Sequence, residues 1–292
     1  MRRLLLALPG NEAFAARLAV AGGFDRAALD TRRFPDGERY VRIDSDVSGR
    51  VVDLVCTLAQ PDDKFLTLAF VADTLRDLGA AEVNLVAPYL GYMRQDTRFR
   101  PGEAVTSRTF ARLLSGLVDR LITIDPHLHR IGRLEEIYGV PCDVLHAAEL
   151  LGAWVGREMA APLIVGPDAE SAQWASEIAA RAGAPFVVLE KQRFGDTEVR
   201  VRLPDLRAHA GRRPVLVDDV ASSGRTLLAA ADGLRAQGFA TPVCVVVHPL
   251  FAGDALERLS QVSERVVSTD TIEHPTNGIS IVSLVAAKLG EV

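Results

Sequence analysis

Short apolar runs of β type alternate with amphipathic helical windows along the whole chain, and this alternation limits the fold more than any other feature. The candidate strands are Arg3–Leu8, Val51–Thr57, Val83–Ala87, Leu121–Ile124, Leu163–Gly166, Phe186–Leu189, Val215–Val217 and Val243–Val247. Between them, Leu68, Val71, Leu75 and Leu78 recur at helical spacing and stop at Gly79. Phe110, Leu113, Leu114 and Leu117 repeat the pattern, as do Leu227, Leu228, Ala231 and Leu234 ahead of Gly238. Strands apolar on both faces and separated by helices predict an α/β protein, a mostly parallel sheet covered by helices. The 292 residues suffice for two domains. Each half holds several strand–helix units, so two similar domains are expected, residues 1–146 and 147–292. Roughly residues 278–292 are left open to pack back on the first domain.

Composition narrows the class. Hydrophobic residues make up 48% and charged residues 24%, which suits a buried core and excludes disorder. No apolar run reaches the ~18 residues of a membrane span, and Leu4–Leu8 stops at Pro9. The net charge of −5 argues against a nonspecific binder of nucleic acid or anionic membrane. Cys56, Cys142 and Cys244 are odd in number and far apart, as expected of free thiols in a reducing cytoplasm. Of the 33 basic residues only Lys64, Lys191 and Lys288 are lysines, so each is a candidate for a task that arginine performs poorly.

Chemistry gathers where the strands end. Arg94-Gln95-Asp96, Asp125-Pro126-His127, Pro167-Asp168, Asp218-Asp219 and His248 each follow an apolar run. Ligands of open parallel sheets bind at these carboxyl ends. The strongest local signal runs from Val215 to Leu228. A strand feeds Asp218 and Asp219, then Ser222, Ser223, Gly224, Arg225 and Thr226, then a helix. Small side chains let loop N–H groups approach an anion at a helix N-terminus, the requirement for phosphate. The two acids would repel that phosphate, so they suit ribose hydroxyls, directly or through a metal.

This loop resembles the phosphate loop of the type I phosphoribosyltransferase fold. The rest of the chain is similar to the ribose-phosphate pyrophosphokinase (PRPP synthetase) family. Phe34-Pro-Asp-Gly-Glu38 resembles the segment that holds adenine, with Phe34 stacking and Asp36 and Glu38 accepting from the exocyclic amine. The Pro88–Asp96 stretch, Asp125–His127, Pro167–Ala169 and Lys191–Arg193 match further family motifs in order. The resemblance implies a type I phosphoribosyltransferase-like fold and transfer of pyrophosphate from ATP to ribose 5-phosphate, giving PRPP and AMP. Arg94 and Gln95 would hold the nucleotide, His127 and Asp168 a Mg²⁺, and residues 218–219 and 222–226 ribose 5-phosphate. Lys191 and Arg193, in a mobile hairpin, would neutralise the group in flight. A cytoplasmic homo-oligomer is implied as well.

Four departures stand out. Arg225 replaces the second glycine of the phosphate loop, Glu170-Ser171 replaces a Gly-Gly pair, and His129-Arg130 replaces a segment with Gln. Val47-Ser-Gly-Arg50 differs from the stretch that binds regulatory phosphate and ADP. Two alternatives compete with the main reading. A PRPP-consuming phosphoribosyltransferase would need neither the Phe34 nor the Lys191 motif. A catalytically silent regulatory paralogue would not need His127, Asp168, Lys191 and Arg193.

Overall fold

The computed structural model describes residues 3–128, 130–168, 171–194, 198–202 and 204–291, with side chains outside 190–202. The chain divides into two units, residues 1–145 with 282–292, and residues 146–281.

The first unit contains β1 (Leu4–Ala7), α1 (Glu12–Gly22), β2 (Asp25–Arg26), β3 (Leu29–Arg33), β4 (Arg39–Ile43), β5 (Val51–Val55), α2 (Asp62–Asp77), β6 (Glu82–Ala87), α3 (Thr106–Ser115), β7 (Arg120–Ile124) and β8 (Cys142–Leu145). Six strands form a parallel sheet in the order β2-β1-β5-β6-β7-β8, and β3 and β4 make a separate antiparallel hairpin. Alternate side chains of each strand point to opposite faces. Leu4, Leu6, Val52, Leu54, Val83, Leu85 and Leu121 therefore share one core with Leu68, Val71 and Leu75 of α2 and Phe110 and Leu114 of α3. Leu5, Val55, Val86 and Ile122 are equally buried on the other face. The helical pattern fails at three expected positions: Leu78, just past α2, and Leu113 of α3 are exposed at 46% and 47%, and Leu117 lies beyond the end of α3.

The second unit contains α4 (Ala148–Glu158), β9 (Pro162–Gly166), α5 (Ala172–Ala182), β10 (Phe186–Val188), β11 (Glu190–Phe194), β12 (Glu198–Arg202), β13 (Arg213–Ala221), α6 (Arg225–Ala236), β14 (Val243–Pro249), α7 (Ala255–Val262), β15 (Arg265–Thr269) and β16 (Asn277–Ile279). Its parallel sheet has the order β10-β9-β13-β14-β15-β16, the arrangement of the first unit repeated strand for strand. Each unit also carries an antiparallel hairpin at the same topological point, β3–β4 in one and β11–β12 in the other. The repeat reaches the helices. In the second unit α4 packs on α5, and in the first the last helix of the chain, α8 (Val282–Glu291), packs on α1. Lys288 fastens α8 to the end of the sheet through Asp143, 2.9 Å away, which Arg120 also holds at 2.6 Å.

Cys56 and Cys244 are buried, Cys142 is partly buried, and all three are free. Burial pushes each thiol up to about 12. No described helix is long and apolar enough to cross a membrane.

Candidate active site

An open parallel sheet offers a ligand crevice where successive crossovers leave in opposite directions. In the first unit that point lies between β1 and β5, and side chains fill it. The Thr57 N–H donates to Asn11 Oδ1 at 2.8 Å, and Lys64 Nζ donates to the Thr57 carbonyl at 2.7 Å. Burial holds the Lys64 ammonium below the ordinary lysine value. Lysine suits this place because one compact ammonium caps one carbonyl.

The equivalent point in the second unit, between β9 and β13, carries acids. β9 pairs with β13 only as far as Leu216, whereas β14 accompanies β13 to Ala221. β13 thus overhangs β9 by several residues. Asp218 and Asp219 lie inside this strand, not after it as the apolar pattern suggested, because the β14 ladder continues past the last valine. Asp168 follows the end of β9. Burial, then repulsion from Asp219 and Asp168, holds the Asp218 carboxyl well above the usual carboxylate range. Clustered carboxylates in this state gain by sharing a cation or by accepting hydrogen bonds from hydroxyls.

Beyond the overhang the chain turns into α6. Gly224 occupies the left-handed region (φ 67°) that a side chain disfavours, and it precedes the helix without any side-chain cap. The first-turn N–H groups of α6 have no intrahelical acceptors, and the helix dipole adds positive potential there. Arg225 begins the helix with ordinary backbone angles and is exposed, so only the first of the family's two glycines is conformationally required. Ser222 and Thr226 are partly buried and Ser223 is exposed.

Ser171, in place of a glycine, has a task of its own. Its hydroxyl donates to the Asp168 carbonyl at 2.6 Å, and its N–H donates to Asp168 Oδ1 at 3.3 Å. The turn that presents Asp168 is tied from below. Ala169 and Glu170 lie outside the described residues.

In the first unit, Phe34 to Glu38 form the tip of the β3–β4 hairpin. The Gly37 N–H donates to the Phe34 carbonyl at 2.9 Å, and Gly37 takes a φ of 95°. Asp36 Oδ1 accepts from the Glu38 N–H at 3.1 Å, so Asp36 also shapes the turn. Phe34 remains 40% exposed. Its ring lies 6.2 Å from that of Tyr40, edge to face, with the Arg32 guanidinium 5.4 Å over it. Sequence reasoning missed Arg32 and Tyr40, because the pairing across the hairpin is visible only once β3 and β4 are recognised as strands.

Gln95 is anchored to the start of α3, where the Thr106 hydroxyl donates to its Oε1 at 3.2 Å. Arg94 beside it is exposed. The buried Asp96 is held by Arg130 at 2.9 Å, so the unfamiliar Arg130 braces the Arg94-Gln95 segment. His127 is partly buried and follows Asp125, whose φ of 34° is a strained value for a side-chain-bearing residue. His248, expected on the polar rim, is instead 1% exposed, with its Nδ1 3.0 Å from the Thr271 hydroxyl. Lys191 and Arg193 fall opposite Val201 and Val199 in the β11–β12 hairpin, and their side chains lie outside the described residues.

The structure therefore groups Asp168, Asp218, Asp219 and the 222–226 loop in one unit, and places Phe34, Arg94, Gln95 and His127 in the other. Among the described residues no three acidic, imidazole or thiol groups close into a protein-only metal cage. The Asp168 carboxylate is an oxygen donor of the kind that suits a hard cation such as Mg²⁺, which keeps waters and phosphate oxygens in its shell.

Comparison with known proteins agrees with this layout. The family described as the N-terminal domain of ribose phosphate pyrophosphokinase matches residues 4–117, and the phosphoribosyl transferase domain matches residues 146–285. A ribose-phosphate pyrophosphokinase from Methanopyrus kandleri is 36% identical over 287 residues, 97% of each chain. One from Methanothermobacter thermautotrophicus is 33% identical, covering 97% of this chain and 98% of its own. The crystal structure of phosphoribosylpyrophosphate synthetase from Mycobacterium smegmatis superposes with a TM-score of 0.86 at 24% identity, covering 99% of this chain and 98% of its own. With relatives this similar over nearly its full length, the chain belongs to the ribose-phosphate pyrophosphokinase family.

Proposed function

We propose that the protein transfers the pyrophosphoryl group of ATP to ribose 5-phosphate, releasing AMP and PRPP. The observation that carries this reading is the pairing of clustered acids with an uncapped helix N-terminus at the crevice of the second unit. A sugar phosphate needs both, hydroxyl acceptors at one end and N–H donors at the other. Asp218 and Asp219 hold the ribose hydroxyls. The 222–226 loop holds the 5-phosphate, and the Arg225 guanidinium adds a donor where the family pattern has none.

On the first unit, Phe34 stacks on the adenine and Glu38, with Asp36, accepts from its amine. Arg94 and Gln95 engage the nucleotide. Asp168 and His127 would hold Mg²⁺, which when bound neutralises the triphosphate. The anomeric hydroxyl attacks the β-phosphorus in line. A new O–P bond forms, the bond to the bridging α,β-oxygen breaks, AMP leaves and the hydroxyl proton passes to solvent. Lys191 and Arg193 neutralise the pyrophosphoryl group during transfer. Catalysis of this kind rests on positioning and electrostatics, because the protein forms no covalent bond to the substrate. A cytoplasmic homo-oligomer completes the reading.

The test is a mixture of purified protein, Mg²⁺, ATP and ribose 5-phosphate followed by ³¹P NMR. AMP and PRPP should appear in equal amounts. ADP with a ribose bisphosphate, or no turnover beside intact binding of both substrates, would reject the assignment.

A further inference from the structure

The hairpin that carries Phe34 is more organised than a loop displaying one aromatic ring. In the β3–β4 register Arg32 stands directly opposite Tyr40. Side chains two residues apart on a strand share a face, so Phe34 belongs with Arg32 and Tyr40. Leu29, Val41 and Ile43 pack against the core of the first unit. One face of the hairpin is thus anchored, and the other carries the exposed Arg32 and Phe34 beside the partly buried Tyr40.

The contacts within that trio are specific. The Arg32 guanidinium sits 4.7 Å over the Tyr40 ring and 5.4 Å over the Phe34 ring. The two rings meet at an interplanar angle of 88°. Within the hairpin the exposed Arg32 guanidinium contacts both rings. One face of Phe34 is therefore covered and its orientation held from the side, while the ring stays 40% exposed. An unbraced surface phenylalanine would sample several rotamers and lose that freedom on stacking with a base.

We infer that Arg32 and Tyr40 are positioning residues for nucleotide binding, holding the Phe34 ring as a preorganised platform for a purine base. This inference rests on the nucleotide reading of the hairpin. Arg32 acts through its charge above the ring and Tyr40 through its ring, so the Tyr40 hydroxyl is dispensable. Both residues act before any bond changes and serve nucleotide binding alone.

The test is calorimetric titration with α,β-methylene-ATP, joined to steady-state kinetics, for wild type, Arg32→Ala, Arg32→Lys, Tyr40→Ala and Tyr40→Phe. Arg32→Ala and Tyr40→Ala should each weaken binding about two- to tenfold, the range of one cation–π or edge-to-face contact. KM for ATP should rise by the same factor, with kcat and KM for ribose 5-phosphate unchanged. Tyr40→Phe should match wild type and Arg32→Lys should fall between. The melting temperature of the exposed Arg32 variants should stay within about 2 °C of wild type, and Tyr40→Phe, which keeps the partly buried ring, should match it. Wild-type affinity in both alanine variants, or a fall in kcat without a change in KM for ATP, overturns the inference while leaving the nucleotide site standing. A wild-type protein that does not bind the analogue overturns both.

Discussion

Gly166 ends β9 immediately before the turn that presents Asp168, and a methyl group there has nowhere to go. A Cβ on Gly166 would lie 2.5 Å from Ser171 Oγ and 3.3 Å from the Ala175 Cβ. Gly166→Ala must displace the Ser171 hydroxyl, and with it the 2.6 Å hydrogen bond to the Asp168 carbonyl. Overpacking of this kind costs about 1–3 kcal/mol. Each lost hydrogen bond adds about 0.5–1.5 kcal/mol. The expected destabilisation is about 2–4 kcal/mol, or roughly 6–12 °C in melting temperature. Activity should fall further than stability, because a shift of about 1 Å in a positioning group costs on the order of 10²-fold in rate. Calorimetry and initial rates of AMP release check both numbers. Ser171→Ala separates the causes, since it removes the 2.5 Å clash and leaves only the tight 3.3 Å approach to the Ala175 Cβ, with Ser171 Cβ at 3.5 Å. The double variant Gly166→Ala/Ser171→Ala should melt above the Gly166→Ala single variant yet remain slow, because the tie to Asp168 is still missing. A Gly166→Ala protein with wild-type melting and turnover would refute the packing argument. Strictly additive losses in the double variant would do the same.

Further outcomes follow from other parts of the chain. Lys191→Ala should lower kcat and kcat/KM together by roughly 10²–10³ with little change in KM, and Lys191→Arg should restore only part of the rate. A rate near that of wild type would reject the transition-state role. Arg50 pairs with Asp25 at 2.7 Å and the Gly49 N–H donates to the Gly79 carbonyl, so the Val47–Arg50 segment is spent on structure. Inorganic phosphate should therefore not be a strong activator, and ADP should inhibit by competing with ATP; sigmoidal inhibition persisting at saturating ATP would contradict this. Burial alone would raise the Asp143 carboxyl, but hydrogen bonds from Lys288 and Arg120 outweigh it and hold the group below the ordinary value of about 3.9. Its stabilising contribution is present above that value and fades as pH falls through the lower folded one. Lys288→Ala should thus cost on the order of 1 kcal/mol at pH 7 and flatten the loss of stability below pH ~4. An unchanged acid limb in chemical denaturation would show that α8 is held some other way.

The parallel sheets were legible in the sequence because their strands are apolar on both faces, and all eight apolar runs became strands. The elements that escaped notice lack that signature. β3 and β4 read Leu-Asp-Thr-Arg-Arg and Arg-Tyr-Val-Arg-Ile, with one face on the core and one in solvent, and the charged residues mask the alternation. β8 is partly buried throughout and β16 has three residues, too few for any period to show. The polar residues that follow the apolar runs lie at the carboxyl ends of strands in both sheets. They could not show that His248 turns inward to Thr271, since an imidazole after a valine run looks alike whether it faces ligand or hydroxyl. Nor could spacing reveal the Asn11–Thr57–Lys64 plug, which joins three segments and explains why the crevice of the first unit differs from that of the second. Ser171 looked like a loss against the family pattern, yet the structure makes it the tie that holds the Asp168 turn.

The most direct test of the central claim follows the phosphorus atoms. ATP labelled with ³²P at the γ position is incubated with the protein, Mg²⁺ and ribose 5-phosphate, and the products are separated by ion-exchange chromatography. If the β,γ-unit moves intact, the label appears in PRPP in proportion to AMP released, and α-labelled ATP places its label in AMP alone. Label from the γ position in free phosphate or a ribose bisphosphate, with ADP as the other product, would contradict pyrophosphoryl transfer.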